Sequence, residues 1–296
     1  MIYLIKDNIE YSLDDGSIAY FLGDQGWGMM PLHRLSEHGP QQDGDTDRGY
    51  RAEARIGKLL FEIVAPTRFD LFAKREYLQT LFSPKASLKL KWYLERQSQM
   101  GLFETWSRQF DVVFADDMDF PTTQKQGFAQ RVSVSLKASD PTCYDPNRQL
   151  VEFNGGGGSG MVVPIHLGDA SGLFFGASSL DQIQTVNNNG NADDYPEITI
   201  VGPAEDPVIT SLSYGEKIDF NGTHIAAGVT YVLDTRYGYK TVIELPNTNR
   251  FDKLTDDSDL ASFKLRPGGN DIRAVAAGIT SATKIQVRYY HRYTGV

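Results

Sequence analysis

Tyr195-Pro196-Glu197-Ile198-Thr199-Ile200-Val201-Gly202-Pro203 opens the part of the chain whose reading decides the fold. Ile198 and Ile200 alternate with polar residues between two prolines, the period-two pattern of a half-buried strand. Similar phrases follow at roughly regular spacing: Asp206-Pro207-Val208-Ile209, the Gly215–Gly222 segment, Val232-Leu233-Asp234-Thr235-Arg236, and Ile285 through Tyr293. Between them stand Asn221-Gly222, Pro246-Asn247 and Pro267-Gly268-Gly269-Asn270, residues that preset or tolerate the backbone angles of turns. Short strands set apart by turns predict a β-sandwich or barrel over residues 195–296. No repeat of solenoid or propeller length is present.

Working back towards the start, Gly155-Gly156-Gly157-Gly158-Ser159-Gly160 can form neither a stable helix nor a packed strand, and predicts a flexible loop near a domain junction. No Gly-Lys-Ser/Thr follows it, so it is not a phosphate-binding loop. Before it, Leu59–Val64, Ser87–Trp92 and Arg131–Lys137 read as strands; Leu88, Leu90 and Trp92 share one face and the intervening lysines the other. One helix is expected between them. Thr67 and Asp70 form a capping pair, Leu71, Leu78, Leu81 and Phe82 make its apolar stripe, and Pro84 stops it. Gln25–Arg51, rich in Gly, His, Gln and Asp, is expected to be a long loop of the kind that carries function or moves.

The 296 residues suit two domains, and 41% hydrophobic with 23% charged residues is the balance of a folded globular chain. A net charge of −9 argues against bulk attraction to nucleic acid or an anionic membrane; an acidic wall suits only a channel that must not hold DNA. The single cysteine, Cys143, excludes a disulfide framework and a multi-cysteine metal site. Neither a secretion signal at Met1–Asp7 nor an apolar run of membrane-spanning length is seen, so a cytosolic product that stays soluble until assembly is expected.

The phrases of the last hundred residues, with Leu265-Arg266-Pro267-Gly268-Gly269-Asn270 among them, closely resemble the C-terminal domain of siphophage distal tail proteins, the Dit family. Earlier, Arg75-Glu76-Tyr77-Leu78-Gln79-Thr80-Leu81-Phe82-Ser83-Pro84 and the turn Asp140–Pro146 are similar to the family's N-terminal domain. The resemblance implies a mainly β chain: a tail-tube-like barrel or sandwich with one helix at 1–150, a glycine-rich connection at 151–194, and a galectin-like sandwich at 195–296. The last strand could pack back on the N-terminal domain. It also implies a homohexameric ring at the virion tail tip that joins the tail tube to the baseplate hub and lets DNA pass. The implied partners are a second copy of itself, the tail tube protein, the hub or tail-associated protein, the tape measure protein, and receptor-binding proteins docked on the outer domains. DNA would be present only in transit, and no membrane is involved.

Catalysis finds little footing in the residues. Asp116-Asp117-Met118-Asp119 and Asp256-Asp257-Ser258-Asp259 could supply paired carboxylates, but acids in such runs are expected to be solvated turns. His33, His38, His166, His224 and His291 are scattered without metal-ligand spacing, and Cys143 has no local base. Asn187–Asp194 lacks the order of a calcium loop and is expected to be a turn. No catalytic, cofactor or metal residue is therefore assigned. Sugar binding by the sandwich would lack a tryptophan there; Tyr214, Tyr231, Tyr237 and Tyr239 are expected to pack as core or edge. A carbohydrate-binding adhesin of the tail tip is the rival reading, and a cell-wall hydrolase a weaker one. The candidate assembly contact is Trp27, Met29, Met30 and Leu32, an apolar half-loop expected to be buried against a neighbouring subunit or ring, followed by the acidic Asp43, Asp45 and Asp47.

Overall fold

The computed structural model describes residues 1–97, 103–121, 125–155, 162–163, 173–174, 179–236 and 238–296. The expected glycine loop at 156–160, His166 and Tyr237 lie outside them. The chain divides into two compact units: residues 1–146 with Tyr293–Val296, and residues 147–292.

The first unit runs β1 (Ile2–Lys6), β2 (Ile9–Ser12), β3 (Tyr20–Gln25), β4 (Leu32–Glu37), β5 (Thr46–Ala52), β6 (Arg55–Val64), α1 (Arg68–Leu81), β7 (Leu88–Gln97), β8 (Phe103–Asp119), β9 (Lys125–Gln126), β10 (Ala129–Ala138) and β11 (Cys143–Tyr144). Its main sheet has the order β2-β1-β7-β8-β10-β6-β3, all antiparallel. Strict alternation drives it: Leu59, Phe61 and Ile63 of β6, Leu88, Leu90 and Trp92 of β7, and Val132, Val134 and Leu136 of β10 are all buried in one core. Burying each such side chain stabilises the fold by about 1.5–3 kcal/mol. The long strand β8 changes partner midway. Phe103–Val112 pair with β7, whereas Val113–Asp119 pair with β10 across a register shift, so one strand ties the two halves of the sheet together.

Helix α1 begins as its sequence dictates. Thr67 Oγ1 accepts from the Asp70 backbone N–H at 3.2 Å and lies 2.6 Å from its carboxylate. Leu71, Leu78 and Leu81 are buried, as is Phe82, the C-cap residue, whose N–H donates to the Leu78 carbonyl. The segment 25–51 is only in part the loop that its composition suggested, since residues 26–31 and 38–45 are irregular but flank two strands. β4 and β5 form a two-stranded antiparallel hairpin, Leu32 opposite Ala52 and Glu37 opposite Thr46.

The second unit contains β12 (Gln149–Asn154), β13 (Val162–Val163), β14 (Leu173–Phe174), β15 (Ser179–Asn188), β16 (Glu197–Val201), β17 (Ala204–Ser211), β18 (Lys217–Asp219), β19 (His224–Ile225), β20 (Thr230–Asp234), β21 (Thr241–Glu244), β22 (Thr248–Asn249), β23 (Gly268–Ala277) and β24 (Lys284–Tyr289). One sheet has the order β12-β24-β16-β20-β21-β22 and the other β15-β23-β17-β18. Phe153, Ile198, Ile200, Leu233 and Ile285 of the first share a core with Leu180, Ile209, Ile218 and Ile272 of the second. That is a β-sandwich. Residues 151–194 are therefore more than a connection, because they supply most of β12 and all of β15 to its two sheets.

Candidate assembly surface

The β4–β5 hairpin is the part of the first unit most open to water. Nearly every residue of both strands is exposed or half-buried, and neither strand joins the main sheet. A lone hairpin is marginal in water. This one is laced by ion pairs, Arg34 with Asp47 at 2.8 Å and Arg48 with Glu37 at 2.6 Å, and His38 Nδ1 lies 3.4 Å from the Asp45 carboxylate. Of the acidic residues, Asp47 is in paired strand, whereas Asp43 and Asp45 lie in the connection at residues 38–45 between the two strands.

The four residues of the expected contact part company. Trp27 is only 2% exposed and packs in its own unit's core, its ring centroid 5.4 Å from Trp92 and 5.2 Å from Phe110. Its indole lies directly over Gly57, where a Cβ would overlap the ring. Trp27 therefore leaves the contact set, and hydrophobic burial within the chain is the reason. Met29 is 74% exposed, while Met30 and Leu32 are half-buried at the root of the hairpin.

Arg55, at the start of β6, fixes this root from below. Its side chain is 1% exposed and donates to the carbonyls of Gly26 (3.1 Å), Gly28 (2.6 Å), Pro141 (3.2 and 2.9 Å) and Thr294 (2.9 Å). Its guanidinium also lies 4.9 Å from the Phe110 ring centroid. Burial lowers its pKa, and five carbonyl bonds take the place of water. The tail is also pinned by Met30 N–H to the Thr294 carbonyl (2.9 Å) and Val296 N–H to the Trp27 carbonyl (3.1 Å). The Cys143 thiol donates to the Gly295 carbonyl at 3.3 Å; burial pushes its pKa up to about 11, so it is an inert thiol. Nothing in the sequence marked Arg55. An arginine satisfied by carbonyls alone has no acidic partner to betray it.

The remaining candidates fall to structural roles. Asp116–Asp119 lie within strand β8, not in a turn, and Asp117 accepts from Ser135 at 3.2 Å. Asp257 pairs with Lys217 at 3.2 Å, and Asp259 accepts the N–H groups of Ala261 and Ser262. The Asn187–Asp194 stretch is only in part the expected turn: Asn187 and Asn188 end strand β15, the chain bends at Gly190 and Asn191, and the buried Asn188 donates to the carbonyls of Ala192 and Leu265 and accepts from Gly190 N–H. At its end Asp194 is held by Arg292 Nε at 2.5 Å and by Tyr290 N–H at 3.0 Å. Burial pushes the Asp194 carboxyl up, and Arg292 opposes it. Tyr231 is buried, but Tyr214 and Tyr239 are exposed, each under an arginine (Arg266 at 3.6 Å and Arg236 at 4.6 Å), which corrects their expected packing. Among the described residues no three His, Cys, Asp or Glu side chains converge as metal ligands.

No family model matches the sequence, and no curated protein matches it. Solved structures do. The chain has the fold of the Dit protein of phage SPP1, called a paradigm of the hub adsorption apparatus in phages that infect Gram-positive bacteria. The TM-score is 0.61 at 14% identity, over 97% of this chain and 98% of that one. A chain of the phage P2 baseplate in its activated conformation with Ca aligns more loosely, with a TM-score of 0.48 at 11% identity over 97% of both chains. At these identities the likeness is one of fold.

Proposed function

We propose that this chain is a structural subunit of a phage tail tip, a distal tail protein that closes into a homohexameric ring between the tail tube and the baseplate hub. One observation carries the reading: the alignment to the phage SPP1 Dit protein runs through both units, over 97% of this chain and 98% of that protein. In this reading residues 1–150 form the ring wall, and the 195–296 region is a galectin-like platform for receptor-binding proteins. Met29, Met30 and Leu32 are assembly contacts. The exposure of Met29, with Leu35 and Tyr50 exposed on the hairpin, supports that role, since exposed apolar surface usually marks a contact. The ring would meet the tube protein, the hub protein and the tape measure protein, and DNA would only pass through. The net charge of −9 suits a wall that does not hold phosphates. No catalytic step is assigned to it.

Electron microscopy of the purified chain tests this directly. Six-fold rings with an open centre are expected, and a lumen lined by acidic or neutral side chains. A chain that stays monomeric at every concentration, or a lumen lined mainly by Arg and Lys, would count against it.

A further inference from the structure

Arg68, Phe72 and Arg75 stand at i, i+4 and i+7 on α1, so they share one side of the helix, with Phe69 beside them. This side is not the one that Leu71, Leu78 and Leu81 bury. Phe69 is 82% exposed and Phe72 44%. The two guanidinium groups flank the Phe72 ring, at 5.9 Å for Arg68 and 5.2 Å for Arg75, and Arg75 also lies 4.3 Å from the Phe120 ring centroid. Among the described residues no Asp or Glu pairs with either arginine. Stacking orients the guanidinium groups and leaves their N–H edges for an acceptor. Exposed aromatics interleaved with arginines are the composition of interface centres.

The matching surface is on the same chain. Residues 37–47, at the turn of the β4–β5 hairpin, carry Glu37, Asp43, Asp45 and Asp47 and no Lys or Arg. Arg48 and Arg34 take up Glu37 and Asp47, while Asp43 pairs with no Lys or Arg among the described residues and Asp45 faces His38. Leu35 and Tyr50 are exposed on the strands that lead there. One surface is aromatic and cationic; the other has an acidic turn, with Arg34 and Arg48 on the strands behind it already paired to Asp47 and Glu37.

We propose that the outer side of α1 receives the β4–β5 hairpin of a second copy of this chain. The proposal rests on the ring reading and names the contact that closes it. Because the two surfaces differ, the contact is heterologous: each copy donates a hairpin and accepts another, which is what a closed ring requires.

Light scattering on the full chain and two charge-reversed variants tests it. Arg68→Glu with Arg75→Glu sets acid against acid, and Asp43→Lys with Asp45→Lys sets base against base. Each variant alone should self-associate at least about tenfold more weakly than wild type, with unchanged circular dichroism. Mixed one to one, they should regain the wild-type mass, because each now offers what the other lacks. Phe69→Ser, a change at a largely exposed site, should also weaken assembly without introducing a charge. If wild type assembles and the helix variants assemble equally well, or if the mixture stays dissociated, the contact is wrong while the ring stands. If wild type never assembles, the ring reading falls and the contact with it.

Discussion

Arg55 Nη2 donates to the carbonyl of Thr294 at 2.9 Å across 239 positions of sequence, joining the start of β6 to residues 293–296. The same carbonyl accepts the Met30 N–H, so one oxygen links the floor of the unit to the root of its hairpin. Replacing Arg55 with Met should strand several buried carbonyls and destabilise the first unit by about 3 kcal/mol or more, since each buried acceptor left without a donor costs about 1–3 kcal/mol. Trp27, Trp92 and Trp106 all lie in that unit, so tryptophan fluorescence during urea unfolding reads it alone. Deleting residues 293–296 should cost a similar amount, and combining the two changes should add little, because both remove one network. Full additivity would show the tail and Arg55 to be independent.

Gly57→Ala should destabilise the first unit by about 1–3 kcal/mol, because the new methyl would overlap the Trp27 indole. Adding Trp27→Leu should recover part of the loss. Thermal unfolding followed by far-ultraviolet dichroism measures both variants without relying on the tryptophan that is removed. No recovery would mean that Trp27 is not what Gly57 makes room for.

Cys143 gives a pH signature. Its thiol is held protonated to about pH 11, against an ordinary value of 9.0. Between those values the unfolded chain releases the proton and the folded one keeps it. The stabilising contribution is therefore complete below pH 9 and is lost as pH rises through 11, a change of about 2–3 kcal/mol across that interval. The difference in stability between wild type and Cys143→Ala should shrink over that window. Native protein at pH 8 should resist iodoacetamide and label only after denaturation; rapid native labelling would contradict the buried geometry.

Asp194 and Arg292 should behave as a pair in the second unit. Asp194→Asn or Arg292→Met alone strands a buried partner and should cost about 3–5 kcal/mol, whereas Asp194→Leu with Arg292→Met together should cost less than the two singles summed. Calorimetry that resolves the second unit's transition would measure this.

Met29→Ser, Met30→Ser and Leu32→Ser together should abolish rings in electron micrographs while leaving the monomer's thermal unfolding nearly unchanged, since Met29 is exposed and the other two are half-buried. Intact rings from that variant would remove the hairpin root from the assembly surface.

Local signals were legible in the sequence, and long-range ones were not. Thr67, Asp70 and Pro84 bracket α1 within a few residues of its ends, and the alternation in β6, β7 and β10 needs no distant partner to be seen. The hairpin escaped because its strands are exposed: Thr46-Asp47-Arg48-Gly49-Tyr50-Arg51-Ala52 has no apolar face to alternate. Trp27 escaped because its burial depends on Gly57, 30 positions on, and a composition-based view of residues 25–51 cannot contain that neighbour. Arg55 escaped for the deepest reason, that its partners are backbone carbonyls, which every residue has.

The tail formed by Tyr293–Val296 also sets an order of events during synthesis. Strands β1 to β11 are all made by residue 146, yet the carbonyl that Arg55 needs belongs to residue 294, which is made 148 residues later. At about 5–20 residues per second the ribosome leaves that socket open for roughly 7–30 s. A chain that stopped before residue 293 would lack the carbonyl that Arg55 and the Met30 N–H share, so the first unit closes only once residues 293–296 reach it.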